Sequence, residues 1–193
     1  MTGIAILGWG SLLWDKRADF DRWHDPWRDD GPLLKLEFSR ISSSRKGALT
    51  LVLDPCHGLP NKVAFAISRR SGLDEALADL QQREGTSALH IGYVCRLSGR
   101  ERCQHAELCD AGYEWAVRNN VDGVVWTDLP SNFEEQTGRP FSVPAALDYL
   151  RHLDCAGMSA AAEYFRRAPS FVETPLRSAV AAEPWFSSRV TAT

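Results

Sequence analysis

No run of the chain stays apolar over the roughly twenty positions that a membrane-crossing helix needs. Nor does Met1 open onto the basic start of a secretory signal. Both absences lead to the expectation of a cytoplasmic protein with no membrane partner. A charge excess is missing too. The formal net charge is −3 and the basic residues are scattered, which argues against nucleic acid as a partner. The five cysteines show no tight spacing. An odd, unpatterned set suits a reducing compartment better than a disulfide framework. Cys103, His105 and Cys109 lack the C-x-x-C step of structural zinc sites, so no metal is expected there. Repeats, low-complexity tracts and clear linkers are also absent. What is present is 193 residues, 44% apolar and 24% charged. That is the composition of an ordinary globular chain, with the length of a single domain over 1–193. Seven tryptophans are many for this length, and several are expected to line a core or a pocket.

The organising stretch lies near the start. Residues 4–7, Ile-Ala-Ile-Leu, read as a short buried strand. Gly8-Trp9-Gly10-Ser11 then breaks it. Glycine allows a ligand to approach the main chain, and successive N–H groups in such a turn form a small anion-binding concavity. The plainer reading is a tight turn. Two phosphate motifs are excluded. A dinucleotide fingerprint needs glycine where Leu13 stands, and a P-loop needs Gly-Lys-Ser/Thr.

Farther along, Leu34, Leu36 and Phe38 alternate with Lys35 and Glu37 as a half-buried strand. Runs at 49–53 and 63–67 follow at spacings that demand antiparallel neighbours. The period then changes. Leu73, Ala76, Leu77 and Leu80 share one helical face, Ser71 is a candidate cap, and Gly85 ends a helix over 72–84. A strand over 88–97, a mostly helical stretch over 100–120 and a strand over 123–127 come next. Helices are expected from Ser142-Val143-Pro144 to about 154, from Ser159 to 168, and over 175–182. The fold class is α+β: a small mixed, mostly antiparallel sheet, curled toward a barrel, with helices around it.

Glu84 stands out because it is acidic where the pattern asks for an apolar residue. At 100° per residue it falls about 20° from position 73, within the apolar stripe, and in the last helical turn. Apolar neighbours and a helix C-terminus both push a carboxyl's pKa upward, as a general base near neutral pH requires. The plain alternative is a solvated helix end beside Arg83. His57 beside Cys56 is read as a turn residue, since neighbouring side chains on extended backbone point to opposite faces.

Leu7-Gly8-Trp9-Gly10-Ser11-Leu12-Leu13-Trp14 resembles the N-terminal signature of the γ-glutamylcyclotransferase superfamily, with the ChaC-like branch nearest. Trp9 stands where that signature usually carries tyrosine. Gln82-Arg83-Glu84-Gly85, about seventy residues on, resembles the placement of the superfamily's acid/base. The resemblance implies a ligand cavity at a barrel mouth and no metal or organic cofactor. It implies a small γ-glutamyl compound as partner, cyclised to 5-oxoproline with release of an amine. Glu84 would be the acid/base, and Gly8, Trp9, Gly10, Ser11 and Leu12 would cradle the substrate. Arg40 is a further candidate for a substrate carboxylate, alongside Arg45 and Lys46, against the plainer reading of a solvated strand edge. The segment 126–133 is either a lid or a surface connection. Two other functions fit the same residues: a non-catalytic module binding a small carboxylate, and transfer of an amine to or from a γ-glutamyl group.

Overall fold

The central strands are buried along almost their whole length, so both faces of the first sheet are covered. The computed structural model describes residues 3–191. Strand β1 (Ile4–Gly8) is buried throughout. It lies between β5 (Ala64–Ile67), antiparallel to it, and β8 (Gly123–Thr127), parallel to it with Ile6 opposite Val125. Strands β6 (Ile91–Cys95) and β7 (Glu101–Arg102) complete a five-stranded sheet in the order β5-β1-β8-β6-β7. Ile4, Ile6, Val125, Ile91 and Cys95 point to one face. There they meet Leu73, Ala76 and Leu80 of helix α2 (Leu73–Glu84) and Phe20 of the short helix α1 (Ala18–Asp21). The intervening residues Val94, Val124 and Trp126 face helix α3 (Ala106–Arg118). On that side Gly92 is required: a Cβ there would run into the Trp126 indole, which lies opposite it in register.

A second, three-stranded sheet has the order β3-β2-β4, built from β2 (Leu33–Ser42), β3 (Ala48–Leu53) and β4 (Leu59–Lys62). The β2–β3 hairpin is antiparallel, with a register shift between Glu37 and Arg40. All six residues of β3 are buried. Phe38 stacks on Phe165 at 4.0 Å, and Phe186 meets Phe165 edge-on. Those rings belong to α6 (Cys155–Arg167) and α8 (Pro184–Thr191). Helices α4 (Phe133–Thr137), α5 (Val143–Arg151) and α7 (Pro175–Ala181) complete this group.

The contacts divide the chain into two compact units, one of 1–34 and 62–129, the other of 35–61 and 130–193. The mixed α+β class is as expected, with eight α-helices among the described residues. The curled single sheet is not: there are two sheets, and neither closes into a barrel. The strand expected over 63–67 is present as β5, but it pairs with β1 rather than with the strands that precede it, and the unexpected β4 takes the place beside β2. Residues 101–102 are strand rather than helix, and α4 and α8 were not expected. Among the described residues no helix is long and apolar enough to cross a membrane.

Candidate functional site

Strand β1 ends at Gly8, whose place is set by space rather than by backbone angle. A Cβ there would approach Leu13 to 2.9 Å and the Trp27 ring to 3.0 Å. The chain then tightens into a 3-10 turn over Ser11–Leu13, in which Leu13 N–H donates to the Gly10 carbonyl at 3.0 Å. A helical turn leaves its first amides without intrahelical acceptors, here those of Ser11 and Leu12. Leu12 inserts its side chain into the core cluster and anchors the turn. Trp9 is buried, 5% exposed, so it joins the core rather than the surface.

Helix α2 approaches this turn with its C-terminus. Gly85 adopts the left-handed conformation, φ 60°, and ends the helix as its sequence position implied. The N-terminus differs from expectation. Gly72 is the cap residue, and the Ser71 hydroxyl donates instead to Glu75 at 2.6 Å. Glu84 is largely buried, its side chain 16% exposed, with Oε1 3.7 Å from Arg83 Nη1.

The deepest residue at the helix end is Arg83, its side chain 3% exposed. Its Nη2 donates to the Asp15 carbonyl at 2.8 Å and the Ser11 carbonyl at 3.4 Å, and lies 3.7 Å from Asp15 Oδ2. Arg17 closes the circuit by donating to the Arg83 carbonyl at 3.0 Å. One guanidinium therefore joins the Glu84 carboxylate to the Gly8–Ser11 loop. Burial lowers the pKa of Arg83, and the nearby Glu84 carboxylate offsets part of that. Among the described residues, Arg83 Nε and Trp27 Nε1 are buried donors without a hydrogen-bond partner. Both lie against the loop, and an acceptor-rich anionic group complements such donors.

Beside Arg83 a cleft of about 390 Å³ is lined by Arg17, Asp19, Phe20, Asp79, Gln82 and Arg83. Its lining includes neither Glu84 nor the loop. Asp79 is engaged by Arg70 through two hydrogen bonds of 2.7 and 2.8 Å.

Gly8, Trp9, Gly10, Ser11, Leu12 and Glu84 all belong to the first unit, and Arg40 belongs to the second. There Arg40 Nη1 donates to the Pro130 carbonyl at 2.7 Å, and burial lowers its pKa. The segment 126–133 is pinned at its second-unit end. Ser131 donates to the Ser39 carbonyl, Asn132 takes the Ile41 N–H at 2.7 Å and returns a bond to its carbonyl, and Phe133 is buried.

Cys103 and Cys109 are joined by a disulfide, contrary to the expectation of unpaired thiols. Among the described residues, Cys56, Cys95 and Cys155 are free, and no cluster of His, Cys, Asp or Glu could hold a metal. His57 Nδ1 lies 3.1 Å from Asp54, within a turn whose amides Asp54 also accepts.

Sequence reasoning singled out Glu84 and passed over Arg83, Trp27 and Asp128. Arg83 did carry a signal. It lies two helical turns beyond Ala76 on the buried face, where a long cation needs internal acceptors. Asp128, just past β8, is buried with its carboxyl pushed up by that burial. It accepts the Gln104 N–H at 2.8 Å. Set beside known proteins, the arrangement rests on its own residues: no family model, curated protein or solved structure matches the chain.

Proposed function

We propose that the protein is a γ-glutamylcyclotransferase-like enzyme, with Glu84 as the proton-transfer group and the loop over residues 8–12 as the substrate cradle. The observation that carries this reading is the Arg83 guanidinium, shared between the Glu84 carboxylate and the Ser11 carbonyl. It ties an acid/base candidate to a 3-10 turn whose first amides have no intrahelical acceptors. In the proposed reaction the substrate supplies its own nucleophile. Glu84 takes a proton from the substrate's α-ammonium group, and the freed nitrogen attacks the γ-carbonyl carbon of the same molecule. A five-membered ring closes. The Ser11 and Leu12 amides stabilise the negative oxygen that develops. On collapse the leaving nitrogen takes the proton held on Glu84, and the ring nitrogen's surplus proton passes to Glu84 in its place and then to the expelled amine, which departs as ammonium. Products are 5-oxoproline and the free amine, with no water consumed. Because attack is intramolecular, proximity supplies much of the acceleration and no activated serine or cysteine is needed.

Incubation with glutathione and with simple γ-glutamyl amino acids, followed by quantitation of 5-oxoproline, tests the reading. Glu84→Gln is expected to lower turnover by about 10²- to 10⁴-fold, the range for loss of a proton-transfer group. Undiminished turnover in that variant removes Glu84 from the role. The unpartnered buried donors Arg83 Nε and Trp27 Nε1 favour one second reading, a site that holds a small carboxylate without turning it over. Calorimetric binding of 5-oxoproline or glutarate with no product from any γ-glutamyl compound would select that reading.

A further inference from the structure

We infer that the Cys103–Cys109 bond is a redox-sensitive latch whose reduction loosens the turn that follows Glu84. Cys103 lies between β7 and α3, and Cys109 lies in α3, with Cα atoms 6.0 Å apart. So short a loop restrains the unfolded chain less than a long one, and the effect of the bond is mainly local. Locally it holds the entry to α3, whose cap residue His105 makes no side-chain capping bond. Within that entry Gln104 clamps Asp128. Its N–H reaches the Asp128 carboxyl at 2.8 Å, and its side-chain amide reaches the Asp128 carbonyl. Asp128 N–H in turn donates to the His90 carbonyl at 2.8 Å. His90 Nδ1 lies 2.9 Å from Thr86 Oγ1, two residues beyond Glu84. Each link lies in the first unit, so one continuous hydrogen-bonded path runs from the disulfide to the end of α2.

The half-buried Cys103 is the more accessible sulfur, since Cys109 is buried. A thiolate of a dithiol reductant attacks Cys103, and the S–S bond breaks with its electron pair leaving on Cys109, which takes up a proton. The reductant's second thiol then displaces Cys103, leaving two protein thiols and an oxidised dithiol. The free cysteines Cys56, Cys95 and Cys155 take no part.

The catalytic consequence rests on the role proposed for Glu84; the structural one does not. The full chain, isolated without reductant and unfolded, is expected to show three titratable thiols of its five cysteines. A count of five overturns the latch. With dithiothreitol, amides at 85–91 and 103–105 are expected to exchange about ten-fold faster, as loss of a hydrogen bond to a charged acceptor implies. A Cys103→Ser, Cys109→Ser double variant should show the fast rates without reductant and no further response. Should reduction speed exchange at 103–105 and leave 85–91 unchanged, the relay to α2 fails. Wild-type exchange decides the matter even if the double variant does not fold. Absence of 5-oxoproline in both redox states would remove the proposed function while leaving the exchange result intact.

Discussion

Arg83 concentrates at one side chain the demands of burial, charge and geometry. A buried guanidinium is tolerated only where acceptors surround it, and here two backbone carbonyls and two carboxylates do so. Arg83→Met is expected to cost about 2–4 kcal/mol in urea unfolding, since it removes charged hydrogen bonds and strands their acceptors. Arg83→Lys should recover little, because a single ammonium cannot span the same partners. Asp128 gives a pH-dependent expectation. Burial raises its pKa above the ordinary 3.8, so the folded chain binds a proton that the unfolded chain has already released. Its contribution to stability is therefore present at acid pH and lost as pH rises through the folded value. Asp128→Asn keeps the acceptor for Gln104 and removes the titration. Denaturant unfolding from pH 4 upward should show the variant gaining on wild type as pH rises. At this scale Glu84 was legible, because an acid within an apolar stripe is visible in one dimension. The burial of Arg83 could be suspected from its helical face, but its acceptors could not be named, because the carbonyls that satisfy it lie about seventy residues away in sequence.

Secondary structure follows local chemistry until a partner from elsewhere intervenes. Ser142 accepts the Ala145 N–H and begins α5 where its Pro-containing sequence implied. Helix α6 starts earlier than Ser159 suggested, because Asp154 caps it through the Gly157 N–H at 2.7 Å. Two rival caps in one stretch are not ranked by sequence alone. The alternation of β2 fails at Glu37, which is 0% exposed and accepts the N–H groups of Phe38 and Leu176. An acid is buried there because the N-terminus of α7 needs its oxygens, a demand written far along the chain. Between β6 and β8, Gly92→Ala would place a methyl group in the Trp126 ring. The expected loss is about 1–3 kcal/mol, the usual cost of overpacking, read as a lowered calorimetric Tm.

At the level of the whole molecule, each compact unit is assembled from two separate stretches of chain. A chain cut after Leu129 keeps β2 and β3 and loses α4–α8. The six buried residues of β3 would then lack the helix α6 that packs on them. Residues 1–129 are expected to aggregate on size-exclusion chromatography, as an uncovered apolar sheet does. The α+β class and six of the eight strands among the described residues could be read from periodicity; β4 and β7 could not. The division into two open sheets could not, because β4 (Leu-Pro-Asn-Lys) carries no apolar alternation and the partner of β5 is β1, about sixty residues earlier in the chain.

The sequence by itself determined the local features: the buried strand ending in Gly8-Trp9-Gly10-Ser11, the apolar face of α2, its stop at Gly85, and the anomaly of Glu84. These depend on residues within a few turns of one another. Only the tertiary structure decided the strand order, the Cys103–Cys109 pairing, and the bridge from Glu84 through Arg83 to Ser11. Those depend on which distant groups satisfy a buried charge, thiol or backbone amide, and that is settled by packing in three dimensions.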